Sequence, residues 1–288
     1  MEDISIIIVI LLLLLFVGCF IYLILWAISS STFGFIESVY IMAFDRPFMP
    51  HCELFYRSLK PEEEQILSHY SKYYRYLSIK KQKVYMTRMI KFIKNKEFIA
   101  KGDLKLTDEM SILAADSAVK LTFGLRNYMF DKFEQILFFK STFYSDYSKS
   151  KNMGETNPRG AIVFSWKDLM EGDMNETDNV NVGLHEFAHA YMIDNKANED
   201  QYFEVQCELF DKFYDNSSLM EMIRSHHFFN NYAFRNKMEF FAVAVEHFFE
   251  SPEKMKVEIT ELYNILCKML NQDPCAIYAS NVANRRPE

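Results

Sequence analysis

Between Ile4 and Ile28 the chain runs for 25 residues without a charged side chain, dominated by Ile, Leu, Val and Phe. As a helix that run is roughly 37 Å long, enough to cross a bilayer core of about 30 Å with some tilt. Tyr22 and Trp26, near its far end, suit a membrane interface. A cleaved signal peptide fits poorly, because Glu2-Asp3 precedes the run where basic residues are needed and the run is too long. The sequence therefore predicts a transmembrane anchor over residues 1–30. No Lys or Arg precedes it, whereas Arg46, Arg57 and Lys60 follow, and this bias places the remainder of a single-pass protein in the cytoplasm.

The rest of the 288 residues is long enough for one sizeable globular domain. Residues 31–60 read as a linker: Ser29-Ser30-Ser31-Thr32 should end the membrane helix, and Pro47 and Pro50 limit regular structure. Residues 61–288 form the domain. The chain's five cysteines, Cys19 in the anchor and Cys52, Cys207, Cys267 and Cys275 beyond it, show neither a paired framework nor a metal-ligand spacing, so they read as reduced structural thiols. A formal charge of -7 argues against nucleic acid as a direct partner.

The periodicity is mostly helical. Lys80 to Ile99 places Met86, Met89, Ile90 and Ile93 on one apolar side between lysines, which a solvated basic face explains. Thr107 followed by Asp108-Glu109 starts a buried helix that runs to Gly124. Gln135–Phe139 and Ala161–Trp166 read as short strands, with Pro158-Arg159-Gly160 turning into the second. Helices follow at about 181–194, 199–214, 236–250 and 253–270. The expected class is α+β, mainly helical with a small sheet.

His185-Glu186-Phe187-Ala188-His189 is an H-E-x-x-H pattern on one of those helices. Four residues is a little over one turn, so both imidazoles face one side and can hold a zinc ion. Glu186 stands at the rim, where it can take a proton from a water activated by the metal. A catalytic zinc needs a third ligand and an open position. Glu239 is the best candidate, because it interrupts the otherwise core-like helix Met238 to Glu250 and a carboxylate does not enter a core without a partner. Glu246, two turns on, is better placed to hydrogen-bond a ligating histidine. His226-His227 reads as surface and His247 as pointing away from the ligands. No phosphate-binding glycine loop, nucleophile elbow or Cys/His dyad is present.

HEFAHAYMIDN together with EFFAVAVEHFFE resembles the zinc-dependent peptidase family of Mlc titration factor A. The second block also resembles the catalytic domain of anthrax lethal factor. Leu106-Thr107-Asp108-Glu109, Ala114-Ala115, QILFF, the run from Gly160 to Trp166, Leu262-Tyr263 and Gln272-Asp273-Pro274 extend the likeness over roughly residues 75 to 275. The resemblance implies a zincin-like domain with one zinc ion per chain on His185, His189 and Glu239, and Glu186 as general base. It also implies a hydroxyl from Tyr232, seven residues before the glutamate ligand, that stabilises an oxyanion. Many members carry an Asp three residues after the second histidine; Met192 stands there, and Asp194 is the nearest substitute. By the same likeness the Ala161–Trp166 strand would be the sheet edge along which a peptide lies.

The expectation is thus a membrane-anchored zinc metallopeptidase acting on a peptide or protein substrate. The alternative that the resemblance brings is a membrane-tethered regulator that binds and sequesters a transcriptional repressor, with little or no hydrolysis. Glu186 favours the enzyme, because it ligates nothing and a regulator could have lost it.

Overall fold

The structure is a computed structural model that describes residues 2–51, 53, 55–175 and 178–284, with side chains at 12–22, 32–51, 53, 55–175 and 178–280. Two units divide the chain, Met1–Phe48 and Met49–Glu288. The first is a single helix, α1 (Glu2–Phe44). It passes through Ser29–Thr32, where the sequence suggested a break. Serine is tolerated in a helix when its hydroxyl bonds the carbonyl one turn back, as Ser38 Oγ does to Gly34 O at 2.8 Å. Among the described residues no helix is long and apolar enough to cross a membrane. Much of the expected anchor, Ile4 to Ile28, lies outside the residues whose side chains are described.

The second unit is α+β and mainly helical, as expected. Its strands are β1 (Glu97–Ala100), β2 (Gln135–Phe139), β3 (Phe143–Ser145), β4 (Ser150–Asn152), β5 (Gly154–Asn157) and β6 (Ala161–Ser165). Helices α2 (Pro61–Tyr70), α3 (Lys72–Tyr76) and α4 (Ile79–Asn95) precede the sheet, and α5 (Asp108–Thr122) connects β1 to β2. After β6 come α6 (Trp166–Met174), α7 (Val182–Ala197), α8 (Gln201–Tyr214) and α9 (Ser217–Ser225), then a 3-10 turn at Asn231–Arg235. The chain closes with α10 (Lys237–Glu250), α11 (Pro252–Glu258), α12 (Thr260–Met269) and α13 (Pro274–Asn284).

The main sheet has the order β1-β2-β6-β5, with the first three strands parallel and β5 antiparallel to β6. Strands β2 and β6 are where the alternation placed them. The Lys80–Ile99 helix is shorter than its pattern: it stops at Asn95, and Glu97–Ala100 pairs in register with β2. Phe98 and Ile99 satisfy a helical stripe and a strand equally, and pairing with a neighbour decides. The 253–270 helix is two, divided at Ile259 (φ -136°, ψ 60°). One correction bears on function. β6 is paired on both sides, so it cannot receive a peptide along its length; the antiparallel edge of the sheet is β5.

Helix α7 is held between α5, the sheet and α10 by near-total burial. Leu184, Phe187, Ala188 and Ala190 are closed to solvent, as are Ala114, Ala115 and Ala118 of α5. The helices approach so closely that a Cβ on Gly183 would stand 2.3 Å from Ser117 Oγ. Ring contacts Phe92–Phe187, Phe130–Phe187 and Phe164–Phe187 fix the back of α7 to the layers beneath it.

Candidate metal centre

Two helix starts build the site. Asn181 caps α7, accepting from Leu184 N at 2.9 Å, which puts His185 at the top of the first turn and His189 one turn on. Asn236 caps α10 in the same way, accepting from Glu239 N at 3.0 Å. The Glu239 carboxylate therefore sits in a first helical turn, where the exposed N–H dipoles favour negative charge.

His185, His189 and Glu239 converge, their ligand atoms all lying within 4.8 Å of one another. His185 Nε2 is 3.1 Å from Glu239 Oε2, and His189 Nε2 is 3.1 Å from His185 Nε2 and 3.5 Å from Glu239 Oε2. Donors about 2.1 Å from a tetrahedral ion stand roughly 3.4 Å apart, so this set fits a cation of zinc's size, and two nitrogens with one oxygen is a donor set that catalytic zinc accepts. His185 Nδ1 donates to Glu246 Oε1 at 2.7 Å, so that Nε2, once it gives up its proton, turns its lone pair to the other donors. The other oxygen of Glu246 accepts from Asn181 N at 2.8 Å, tying the ligand's support to the helix start. That is the position in which the sequence put Glu246.

The electrostatics ask for a positive charge. Burial pulls the His185 pKa down, but the Glu239 and Glu246 carboxylates outweigh it and hold it up at about 10. Burial likewise raises the Glu239 carboxyl, and bonds from His185 and His189 overturn that, holding it well below the usual carboxylate range. Three carboxylates around two imidazoles are stable only with a proton or a metal among them.

Glu186 is buried beside this group and ligates nothing in it. Burial raises its pKa, against the pull of His185 and His189. Its position is set from β5, which the sequence did not reveal. Thr156 Oγ1 lies 2.7 Å from Glu186 O and 2.9 Å from Glu186 Oε2. Gly154, two residues earlier on the same face of the strand, leaves the necessary room: a Cβ there would stand 2.6 Å from both Cγ and Oε1 of Glu186. Thr156→Val keeps the shape and removes the hydroxyl. It is expected to lower kcat about tenfold with metal content unchanged, and Thr156→Ser to restore most of it; steady-state kinetics with metal analysis of all three proteins checks this.

Tyr232, in the 3-10 turn, has its ring 6.0 Å from the His185 ring. Burial, then the Glu239 charge and a hydrogen bond to that carboxylate, push its hydroxyl up to about 12, so it stays protonated and able to donate. Asp194 takes no part here. Its Oδ1 accepts from Lys132 N at 2.8 Å and Oδ2 from Asn198 Nδ2 at 3.1 Å, so it fastens the end of α7 to the loop before β2. His226 and His227 are exposed. His247 is buried, donates through Nδ1 to Val243 O at 3.0 Å and is held down at about 4, chiefly by burial.

Behind the ligands, Glu250 is the outlying carboxyl of α10. Burial, with help from the Glu246 and Asp178 charges, pushes it up to about 8 against the opposing Asn181 and Lys120. The folded chain thus keeps a proton there that the unfolded chain releases near 4.5. Stability from this group is full below 4.5 and falls as pH rises to 8. Glu250→Gln, which needs no proton, should raise Tm by about 5 °C at pH 8.5 and leave it unchanged at pH 4.5. Thermal melts at the two pH values are the check, and a gain of equal size at both would contradict this account.

A family model described as glucose-regulated metallo-peptidase M90 matches residues 52–270. An uncharacterized protein of Synechocystis sp. (strain ATCC 27184 / PCC 6803 / Kazusa), slr2042, is 26% identical over 249 residues, 77% of this chain and 88% of that one.

Proposed function

Because the chain belongs to the glucose-regulated M90 metallopeptidase family, we propose that it is a membrane-anchored zinc peptidase in which Glu186 is the general base. The observation that carries this is Glu186 itself. A buried carboxylate stands beside three convergent ligand atoms, bonds none of them, and is held by a dedicated hydroxyl and a dedicated gap in the neighbouring strand.

His185, His189 and Glu239 would hold the zinc ion, whose Lewis acidity polarises a carbonyl and acidifies a water. The chain's own groups do the rest. Glu186, its pKa raised by burial, accepts the proton from the attacking water and returns it to the leaving amine. Thr156 keeps that carboxylate in one orientation throughout. Tyr232 donates its phenolic proton toward the oxygen that gains charge as the carbonyl becomes tetrahedral. A peptide lies extended along the outer side of β5, antiparallel to it, and adds a strand through main-chain hydrogen bonds. Glu246 holds His185 from behind.

The zinc-loaded protein should cleave peptides in a complex mixture, stop after chelation and recover with about one equivalent of zinc. Mass spectrometry of the mixture reads this, and an unchanged peptide inventory from folded, zinc-loaded protein would sink the proposal. The uncharged run from Ile4 to Ile28 supplies the anchor, and the Lys/Arg bias puts the peptidase unit in the cytoplasm. Labelling of Cys275 by an impermeant maleimide on intact cells would reverse that orientation.

A further inference from the structure

From residue 222 to residue 238 this acidic chain carries no Asp or Glu, yet it carries Arg224, His226, His227, Arg235 and Lys237. That segment runs up to Glu239 and includes Tyr232, whose ring lies 6.0 Å from that of His185. Lys237 is neutralised by Asp211 at 3.1 Å and Asp215 at 3.3 Å. The two arginines are not. Among the described residues, neither has a carboxylate within ion-pair distance, and each is held by a ring instead. The Arg224 guanidinium lies 4.7 Å from the centre of the Phe234 ring, and that of Arg235 lies 4.5 Å from the centre of the Tyr232 ring. Arg235 is exposed and only one aromatic ring removed from His185.

Stacking of this kind positions a guanidinium without cancelling its charge, and it leaves the N–H edge free in the plane. That edge matches a carboxylate with two parallel hydrogen bonds. The neighbouring carboxylates do not occupy it. Glu239 and Glu246 are taken up by the histidines, and Glu186 by Thr156. Resting on the peptidase reading above, we propose that Arg235 is an anion subsite that selects peptides bearing a carboxylate close to the scissile bond. Two sources present the same group, an acidic side chain and the free C-terminus of a peptide.

The test is made by binding to the full-length, zinc-loaded Glu186→Gln protein, so that it does not depend on turnover. Fluorescein-labelled peptides differing only in Glu or Gln at each position of a short scan, each with a free or an amidated C-terminus, are titrated by anisotropy. Acidic peptides are expected to bind about tenfold tighter than their neutral partners. Arg235→Gln should erase the difference, Arg235→Lys should keep part of it, and Arg235→Glu should shift preference to Lys-bearing peptides. Loss of the advantage on amidation identifies the chain end as the group read; loss on Glu-to-Gln exchange identifies a side chain. In the active protein the same peptides should differ in KM far more than in kcat. Equal or undetectable binding of all peptides, or a preference that survives in Arg235→Gln, overturns the proposal. If acidic peptides bind selectively and the active protein cuts none, the subsite stands and the peptidase reading falls; cleavage without charge preference has the opposite meaning.

Discussion

Glu186→Gln should retain its zinc and its fold while turnover falls by about a thousandfold or more, the upper part of the range for loss of a general base. The substitution keeps the size of the side chain and its oxygen facing Thr156, and it leaves both histidines and Glu239 untouched. Removing the charge also relieves a buried carboxylate whose pKa burial has raised, so no loss of stability accompanies the loss of rate. Metal analysis, a thermal melt and kcat on one cleavable peptide measure the three quantities. A wild-type protein that holds zinc, binds a partner tightly and behaves identically to Glu186→Gln would leave the sequestering regulator as the better account.

Glu239→Ala should release the metal. The substitution deletes the anionic ligand, a carboxylate whose Oε2 lies 3.1 Å from His185 Nε2 and 3.5 Å from His189 Nε2. Zinc affinity is expected to drop by more than a hundredfold, beyond the 10–100-fold typical of losing an outer hydrogen bond to a ligand. Glu246→Gln provides that milder comparison, because it weakens the hold on His185 Nδ1 without removing a ligand. Competition with a chromophoric chelator ranks the three proteins. Full zinc occupancy in Glu239→Ala, with His185 and His189 intact, would place the third ligand elsewhere.

The residues that converge here were legible where chemistry is tied to local spacing. Four-residue separation puts His185 and His189 on one helical face. Glu239 and Glu246 stand out because they are charges in apolar surroundings on a second helix. What the chain did not disclose depends on strand placement. Glu97–Ala100 looks like the tail of α4 until β2 is beside it, and the three- and four-residue strands β3, β4 and β5 carry too few side chains for alternation to register. Thr156 and Gly154 were missed for that reason. One signal was available: a Gly in a strand often marks a close approach. Asp194 was assigned on proximity in sequence to His189, but on a helix five residues carry a side chain well over a turn away.

For protein engineering, β5 is a closed region. Its pleat turns Gly154 and Thr156 toward Glu186, and Glu155 and Asn157 to the other side, where Asn157 Nδ2 donates to Glu155 Oε1 at 3.4 Å. Position 154 admits no side chain and position 156 tolerates little but a small hydroxyl. A mutagenesis library aimed at altered specificity would spend its diversity poorly on this strand. The permissive positions are in the segment before α10, at the exposed residues His226, His227, Asn231 and Arg235. If Glu186 is the base and Arg235 reads the substrate's charge, catalysis and selectivity are written on separate segments, which can be varied one without the other.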